Sequence, residues 1–207
     1  SLFNKLSKNS AIVISDNFRA VIQRASYWSN LTNGAFDISS FPLVNTWRLG
    51  KLDRENKDVW IPPTDLEVIV AKSNIGYKKI KLVSTSLIKS FDEQKLDVNA
   101  IAKGWGVDRL FIYIQSLGYK NFMVEIGGEV RVSGSNNRGA DWRIGIDSPE
   151  PNFQPGEKIF AVIPIKDKAM ATSGNYRDFY EYDSKKYSHI INPITGKAVE
   201  SNIASVT

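Results

Sequence analysis

The chain has 207 residues, of which 42% are hydrophobic and 24% are charged, a composition that excludes a disordered, collagen-like or coiled-coil protein. Its 27 basic and 22 acidic residues leave a net charge of +5, which suits an anionic ligand but is too small and too dispersed to indicate nucleic acid. Cysteine is absent and histidine occurs once, so thiol catalysis, disulfides and a multi-histidine metal site within one chain are excluded. No segment approaches the about 20 apolar residues that a membrane-spanning helix needs.

The first predicted helix follows Ser15. Its apolar residues recur at spacings of three and four and therefore share one face: Phe18, Val21, Ile22, Ala25 and Trp28. Asn33 and Gly34 form a strong turn signal that ends this helix. The next segment, 34–47, is apolar but has no period, and we predict an ordered loop there.

A second helix is predicted after two prolines. Thr64, with Glu67 three residues later, forms a capping box that starts the helix. Its predicted buried face consists of Leu66, Ile69 and Val70. A β-hairpin turning at Ser84–Thr85 is expected to follow, because apolar residues flank that pair on both sides.

A third helix is predicted from about Ala100 to Leu117, with Gly118 as the residue that terminates it. Its apolar stripe consists of Ile101, Trp105, Leu110, Phe111, Ile114 and Leu117. The second half of the chain is predicted to be mostly strand, in the segments 122–126, 130–132, 142–146 and 159–165 and in a hairpin across 183–186. Early helices, later strands and the lack of a convincing linker predict an α+β fold.

The segment Asp97–Asp108 is the first candidate for chemistry. It passes from a strand end into a helix start, where free backbone N–H groups suit a phosphate. Lys103 adds a mobile cation, and the small residues beside it let a ligand approach the main chain. The segment is neither a Walker loop nor a GxGxxG motif. A capped helix packed on a sheet explains the same residues without any ligand.

Two glycine-containing segments are further candidates. Gly127 and Gly128 interrupt an alternating run, which indicates either a β-bulge or the close approach of another backbone or a ligand. Thr172 and Ser173, beside Gly174, can present N–H and O–H donors to an anion. An ordinary polar turn explains the second segment equally well.

Two single residues complete the candidates. His189 is the only histidine, and imidazole moves protons near neutral pH, so it is a candidate general base; a lone histidine is also often structural. Asp37 follows the first helix on a loop, where it either binds a hydroxyl or amine of a ligand or caps a turn.

In their order and spacing, these segments resemble one family, the FAD:protein FMN transferases, also called the ApbE family. The resemblance covers essentially the whole chain and implies a single domain over residues 1–207, with an ApbE-like, T-fold-related architecture of mainly antiparallel sheets and flanking helices. The shared segments are Gly34–Asp37, Pro42–Trp47, Asp97–Asp108, Glu125–Gly128, Ala171–Tyr176, Ser188–Gly196 and Ala204–Thr207.

The resemblance also implies a reaction. Members cleave FAD at its diphosphate, transfer FMN to a Thr or Ser hydroxyl of a partner flavoprotein, release AMP and require Mg²⁺. Carried over by position, His189 is the base and the Ala100 carbonyl is a magnesium ligand. The residues implied to line or border the FAD site are Ala35, Phe36, Asp37, Asp97, Lys103 and Ile203. The remaining members of the predicted cofactor-binding set are Gly127, Gly128, Thr172 and Ser173.

The sequence departs from the family pattern in two motifs and at both ends. Asn99–Ala100 stands where the family often has Gly-Gly, which a backbone ligand tolerates, and Asn192 stands where Asp is usual, so we expect a structural turn there. The family's N-terminal signal or lipoprotein segment and its C-terminal Asp-x-x-x-Thr magnesium segment are expected to be missing. That expectation predicts weak or absent transferase activity for this chain.

Two other functions stay open: hydrolysis of FAD to FMN and AMP, with water as the acceptor, and flavin binding without catalysis. The resemblance implies a location in the periplasm or on the inner membrane, through a lipid anchor on a preceding segment. Nucleic acid is not an expected partner, because the chain has no stripe of alternating basic and aromatic residues.

Overall fold

The computed structural model describes residues 2–49, 51–52, 60–150, 153–154, 156–176 and 179–207. Within these ranges the helices are α1 (Asp16–Leu31), α2 (Phe41–Leu49), α3 (Asp65–Ser73) and α4 (Asn99–Ser116). The strands are β1 (Ala11–Val13), β2 (Lys51–Leu52), β3 (Trp60–Ile61), β4 (Lys81–Val83), β5 (Ser86–Ile88), β6 (Phe122–Ile126), β7 (Glu129–Ser133), β8 (Trp142–Asp147), β9 (Ile159–Ile165), β10 (Ala169–Met170), β11 (Ser173–Gly174), β12 (Phe179–Tyr182), β13 (Lys185–Ser188) and β14 (Ser205–Val206).

Every pairing among these strands is antiparallel. The larger sheets have three strands each, in the orders β1-β5-β4 and β10-β7-β6, and the others are two-stranded pairs. Small antiparallel sheets beside four helices confirm the predicted α+β class. In the described part of the chain, no helix is both long and apolar enough to cross a membrane.

The chain divides into two compact units. Unit one consists of residues 1–100 and 179–200, and unit two consists of residues 101–178 and 201–207. Each unit is therefore built from two stretches that are distant in sequence. The single functional domain implied by the resemblance stays a prediction.

In unit one, α1 begins as predicted. The Ser15 hydroxyl accepts a hydrogen bond from the N–H of Phe18 at 3.2 Å, which satisfies one free donor of the first turn. Val21, Ile22 and Ala25 are buried, as their spacing predicts, whereas Trp28 at the end of the stripe is 41% exposed.

The predicted loop at 34–47 is wrong in its second half, because α2 occupies Phe41–Leu49. Pro42 reads as a helix breaker in the sequence, yet it lies in the first turn, where its missing N–H has no helical partner to lose. Leu43 and Trp47, four residues apart, are both buried in the core of unit one. The indole N–H of Trp47 donates to the carbonyl of Gly196 at 2.8 Å, which ties α2 to the C-terminal part of this unit.

Helix α3 has the predicted capping box, with Thr64 and Glu67 bonded to each other through main chain and side chain. Its predicted buried face is wrong. Val68 and Ala71 pack in the core, whereas the residues assigned to the core are exposed: Leu66, Ile69 and Val70. This short helix is apolar on two faces, so spacing alone fits either one and packing against α2 selects between them.

Two hairpins of unit one turn where the sequence predicts. Strands β4 and β5 pair around Ser84, which has a positive φ of 53°, and β12 and β13 pair around Asp183 and Ser184. The second hairpin carries Tyr180, whose ring stacks on that of Trp60 at a centroid distance of 4.7 Å.

Unit two is built on α4 and the hairpin of β6 and β7. Val107 and Phe111 of α4 are buried against Val124 of β6. Leu110 and Leu117, which the predicted stripe includes, are 47% and 57% exposed. Gly118 follows the helix with a positive φ of 90°, as predicted for a terminating glycine. Strands β8 and β9 form a second hairpin, paired from Trp142 with Ile165 to Asp147 with Ile159.

Candidate functional site

The predicted site residues are divided between the two units. Unit one contains Ala35, Phe36, Asp37, Asp97, Ala100 and His189. Unit two contains Lys103, Gly127, Gly128, Thr172, Ser173 and Ile203.

Asp37 lies on the loop between α1 and α2 and is bonded to the surrounding main chain. Its Oδ1 accepts from the N–H and the hydroxyl of Ser39, both at 2.7 Å, and its Oδ2 accepts from the N–H of Tyr77 at 3.0 Å. The Ser39 hydroxyl accepts in turn from the N–H of Gly76 at 2.7 Å. The carboxylate therefore joins two loops of unit one. On the same loop Ala35 is exposed and Phe36 is half-buried.

Asp97 lies directly beside this loop. Its N–H donates to the carbonyl of Ile38 at 2.7 Å, and its Oδ1 accepts from the N–H of Asn99 at 2.9 Å, at the start of α4. The backbone thus brings two predicted FAD segments, 35–37 and 97–100, next to each other. The sequence indicates each segment but contains no sign of their contact.

A buried polar clamp, which sequence reasoning missed, holds the segment that leads into Asp97. This segment, residues 94–98, is not a strand, so the predicted strand end before α4 is wrong. The side chain of Asn4 donates to the carbonyl of Leu96 at 3.0 Å and accepts from its N–H at 2.8 Å. The ammonium of Lys89, a residue that is 1% exposed, donates to the carbonyl of Asn4 at 3.2 Å. Burial lowers the pKa of Lys89, and the nearby Asp92 carboxylate opposes that shift only in part.

Ala100 is the second residue of α4 and is exposed. Its carbonyl is the one magnesium ligand that the resemblance implies in this chain. Mg²⁺ takes near-octahedral oxygen ligands, usually including carboxylates. Among the described residues no group of three His, Cys, Asp or Glu side chains is arranged to hold a metal. These residues alone do not fit a magnesium site.

His189 is exposed at the end of β13, next to buried Ser188. The turn that follows is held by Asn192, whose Oδ1 accepts from the N–H groups of Ile194 and Thr195 at 2.8 and 3.2 Å. The amide oxygen of Asn192 accepts the hydrogen bonds that an aspartate oxygen would accept at this position. The replacement of the family's Asp by Asn therefore leaves a structural turn, as expected.

In unit two, Lys103 lies over the turn between β6 and β7. Its ammonium donates to the carbonyl of Gly127 at 3.0 Å and is 2.7 Å from Oε2 of Glu129. Gly127 and Gly128 are a two-residue hairpin turn with φ of 55° and 94°, a geometry that strongly favours glycine. The β-bulge interpretation is therefore wrong, and the approach of another backbone or a ligand stays a prediction. The neighbour that the structure places at this turn is the Lys103 side chain, because a Cβ at Gly127 would lie 3.3 Å from its Cδ.

Thr172, Ser173 and Ile203 belong to one small part of unit two. Strand β11 pairs with β14, so Ser173 lies opposite Val206, and the hydroxyls of Thr172 and Thr207 are 3.0 Å apart. Ile203 is 61% exposed just before this pairing. Both the ordinary turn and the anion-binding interpretation of 172–174 stay open.

Glu129 is the functional candidate that sequence reasoning missed. A glutamate after a turn is unremarkable in sequence, and only the fold brings it to a lysine 26 positions earlier. Its Oε2 has almost no accessible surface and makes no directed hydrogen bond within the described residues, so the contact with Lys103 is an ion pair.

Comparison with known proteins gives a consistent match. The profile of the ApbE family matches residues 1–207. The chain is 38% identical to a protein of Vibrio cholerae named FAD:protein FMN transferase and 35% identical to a Haemophilus influenzae protein of the same name, and each alignment covers 100% of this chain and 60% of the relative.

Solved structures show the same similarity. The flavin transferase ApbE of Vibrio cholerae matches 99% of this chain with a TM-score of 0.81 and 35% identity, over 63% of its own length. The ApbE protein of Thermotoga maritima matches 99% with a TM-score of 0.82 and 28% identity, also over 63% of its length. The chain thus spans about three fifths of the length of these relatives.

Proposed function

Because the chain belongs to the ApbE family, as its motifs predict, we propose that it transfers FMN from FAD to a Thr or Ser hydroxyl of a partner flavoprotein and releases AMP. The observation that carries this proposal is the similarity of all 207 residues to proteins named FAD:protein FMN transferase. The position of Lys103 supports it, because a half-exposed ammonium beside a tight turn suits an oxygen of a diphosphate.

The proposed step exchanges one P–O bond for another. The acceptor Oγ attacks the phosphorus of the FMN half, the Oγ–P bond forms, and the P–O bond to AMP breaks with its electron pair leaving on AMP. A Thr or Ser hydroxyl is a weak nucleophile near neutral pH, so a base that takes its proton increases the rate. His189 is the proposed base, and its exposure at the end of β13 leaves it accessible to a protein substrate.

Each unit contains residues that we propose to bind FAD. In unit one, the adjacent segments 35–37 and 97–100 offer carboxylate acceptors and exposed backbone, which supports a shared role. In unit two, Lys103 supplies the cation for the diphosphate. Gly127, Gly128, Thr172, Ser173 and Ile203 complete the proposed set.

Magnesium is proposed from family membership alone. The Ala100 carbonyl is a single oxygen ligand, and the described residues do not assemble a cluster of metal-binding side chains around it. No step above depends on the metal. We expect excess EDTA to abolish transfer and added Mg²⁺ to restore it; transfer that persists in EDTA would contradict the requirement.

The acceptor and the location, like magnesium, are proposed from family membership. A protein acceptor with a Thr or Ser hydroxyl, a lipid anchor, and a location in the periplasm or on the inner membrane are proposed from the resemblance alone.

The proposed function is tested by incubating the protein with FAD, Mg²⁺ and an acceptor flavoprotein. Flavin fluorescence that stays on the denatured acceptor, with AMP in equal amount, is the expected result. FMN and AMP without covalent flavin indicate a hydrolase, and FAD binding without AMP indicates a binding module; either outcome refutes transfer.

Two variants assign the roles. His189→Ala is expected to lower the rate of transfer by about 100-fold, the lower end of the usual contribution of a general base, with little change in FAD affinity. Lys103→Met is expected to weaken FAD binding. Lys168→Met, an exposed lysine in the same unit, is the matched control and should leave binding unchanged.

A further inference from the structure

Glu129 starts β7 immediately after the Gly127–Gly128 turn and faces the ammonium of Lys103. Its Oε2 is 2.7 Å from Nζ, and the carbonyl of Gly127 accepts from the same Nζ at 3.0 Å. Two oxygens of one hairpin therefore hold the cation. The Lys103 side chain is 49% exposed and that of Glu129 is 18% exposed, so the cation faces outward and the carboxylate lies beneath it.

The carboxylate depends on this contact. Its Oε2 has almost no accessible surface and makes no directed hydrogen bond within the described residues. A carboxylate oxygen without contact with water is unfavourable unless a neighbouring charge compensates it. Lys103 is therefore drawn toward the hairpin.

An anionic ligand that approaches Lys103 experiences two opposite effects of Glu129. By holding the Lys103 side chain in one conformation, the glutamate raises the affinity for the ligand. This increase is limited by the rotamer freedom of one side chain, and the Gly127 carbonyl already provides part of the ordering without Glu129. The glutamate also repels the ligand, because both anions sit against the same ammonium. Near a protein surface, two like unit charges about 6 Å apart correspond to about a hundredfold change in affinity, which solvent and salt at this half-exposed site reduce to about tenfold. The repulsion is the larger effect.

We propose that Glu129 is an internal counter-ion that competes with the diphosphate of FAD for Lys103. It is a positioning residue, since it acts through Lys103, and this inference rests on the proposed function. The competition keeps the affinity for the diphosphate moderate, which favours departure of the phosphate-bearing product after the P–O bond breaks.

Glu129→Gln tests this inference, because the amide keeps the shape and a hydrogen-bond acceptor but removes the charge. We expect this variant to bind FAD about tenfold more tightly than the wild type, a gain of about 1.4 kcal/mol, and to bind inorganic pyrophosphate more tightly as well. Glu125→Gln makes the same charge change on the same hairpin, where its side chain accepts from the N–H of Gly128, and should change the affinity by less than about twofold.

The double variant Lys103→Met/Glu129→Gln separates competition from a structural effect. If Glu129 acts through Lys103, the gain seen with Glu129→Gln disappears in the Lys103→Met background. Calorimetry of FAD and of pyrophosphate measures all four proteins without requiring turnover.

The outcomes are distinct. A wild-type protein that binds no FAD refutes the proposed function, and this inference falls with it. FAD binding that Glu129→Gln leaves unchanged or weakens overturns the inference alone, as does a gain that persists without Lys103. Should Glu129→Gln not fold, Glu129→Asp replaces it: drawing the charge back by one methylene should tighten FAD binding, and unchanged or weaker binding overturns the inference.

Discussion

Substitution of Asp37 distinguishes a ligand-binding role from a structural one. Asp37→Ala removes the acceptor for three donors: the N–H and hydroxyl of Ser39 and the N–H of Tyr77. Ser39 is 1% exposed, so its hydroxyl cannot turn to bulk water without a local rearrangement. We therefore expect the variant to be destabilised even if this side chain never contacts FAD.

The size of the destabilisation in Asp37→Ala follows from the three hydrogen bonds that are lost. Hydrogen bonds to a charged group contribute about 1.5–3 kcal/mol each, but three bonds to one half-buried carboxylate are not additive, so we expect a loss of about 3 kcal/mol in the free energy of unfolding. Asp37→Asn keeps one oxygen, but its NH₂ group must face the N–H of either Ser39 or Tyr77. Such a pair of opposed donors is expected to cost about 2 kcal/mol.

Urea denaturation followed by tryptophan fluorescence measures the loss, and amide hydrogen exchange localises it. The N–H groups of Ser39 and Tyr77 should exchange faster in Asp37→Ala. Asp141→Ala is the matched control, because that exposed aspartate makes no side-chain hydrogen bond within the described residues. Calorimetry with FAD on the folded variants gives the second readout.

The two readouts decide the role. An unfolding midpoint in Asp37→Ala equal to that of the wild type would refute the assignment of the three bonds. A lower midpoint with unchanged FAD affinity makes Asp37 a structural residue and removes it from the proposed site. A lower midpoint with weaker FAD binding, beyond that of Asp37→Asn, supports both roles.

Two further predictions concern stability. Gly134 has a φ of 60°, and an added Cβ would lie 2.6 Å from the carbonyl oxygen of Lys120, whereas Gly139 has a φ of 74° and open space around it. The free energy of unfolding of Gly134→Ala, measured by thermal or urea unfolding, should therefore fall by at least about 2 kcal/mol more than that of Gly139→Ala. Equal losses in the two variants would contradict the packing at residue 134. Burial lowers the pKa of Lys89 below its usual 10.5, so the unfolded chain binds more protons than the folded chain between the lowered pKa and 10.5. The free energy of unfolding of the wild type, relative to that of Lys89→Met, should therefore rise with pH across that window. A difference between the two proteins that does not change with pH would contradict the burial of this ammonium.

Local sequence rules account for where many elements begin and end. Ser15 and the Thr64–Glu67 pair cap their helices, and Gly118 terminates α4. The hairpin turns at Ser84 and Asp183 also lie where turn residues interrupt apolar runs. These signals are reliable because each involves hydrogen bonds or torsion angles within a few residues of one another.

Burial of a helix face is not determined in this way. The spacing of apolar residues in α3 fits two faces, and only packing against Leu43 and Trp47 of α2 buries Val68 and leaves Leu66 exposed. Helix α2 itself has too few turns to show a period, and its proline is harmless only because it lies in the first turn.

In the candidate site, too, the sequence determines some features and the tertiary structure determines others. The order of short motifs along the chain is enough to identify the family, because order and spacing survive without any knowledge of contacts. The partners of the site side chains come from the tertiary structure: Asp37 with Tyr77, 40 residues apart, Lys89 with Asn4, 85 apart, and Lys103 with the turn at Gly127, 24 apart. Residues so distant in sequence meet only when the whole chain has packed, so no local pattern encodes which groups become hydrogen-bond partners.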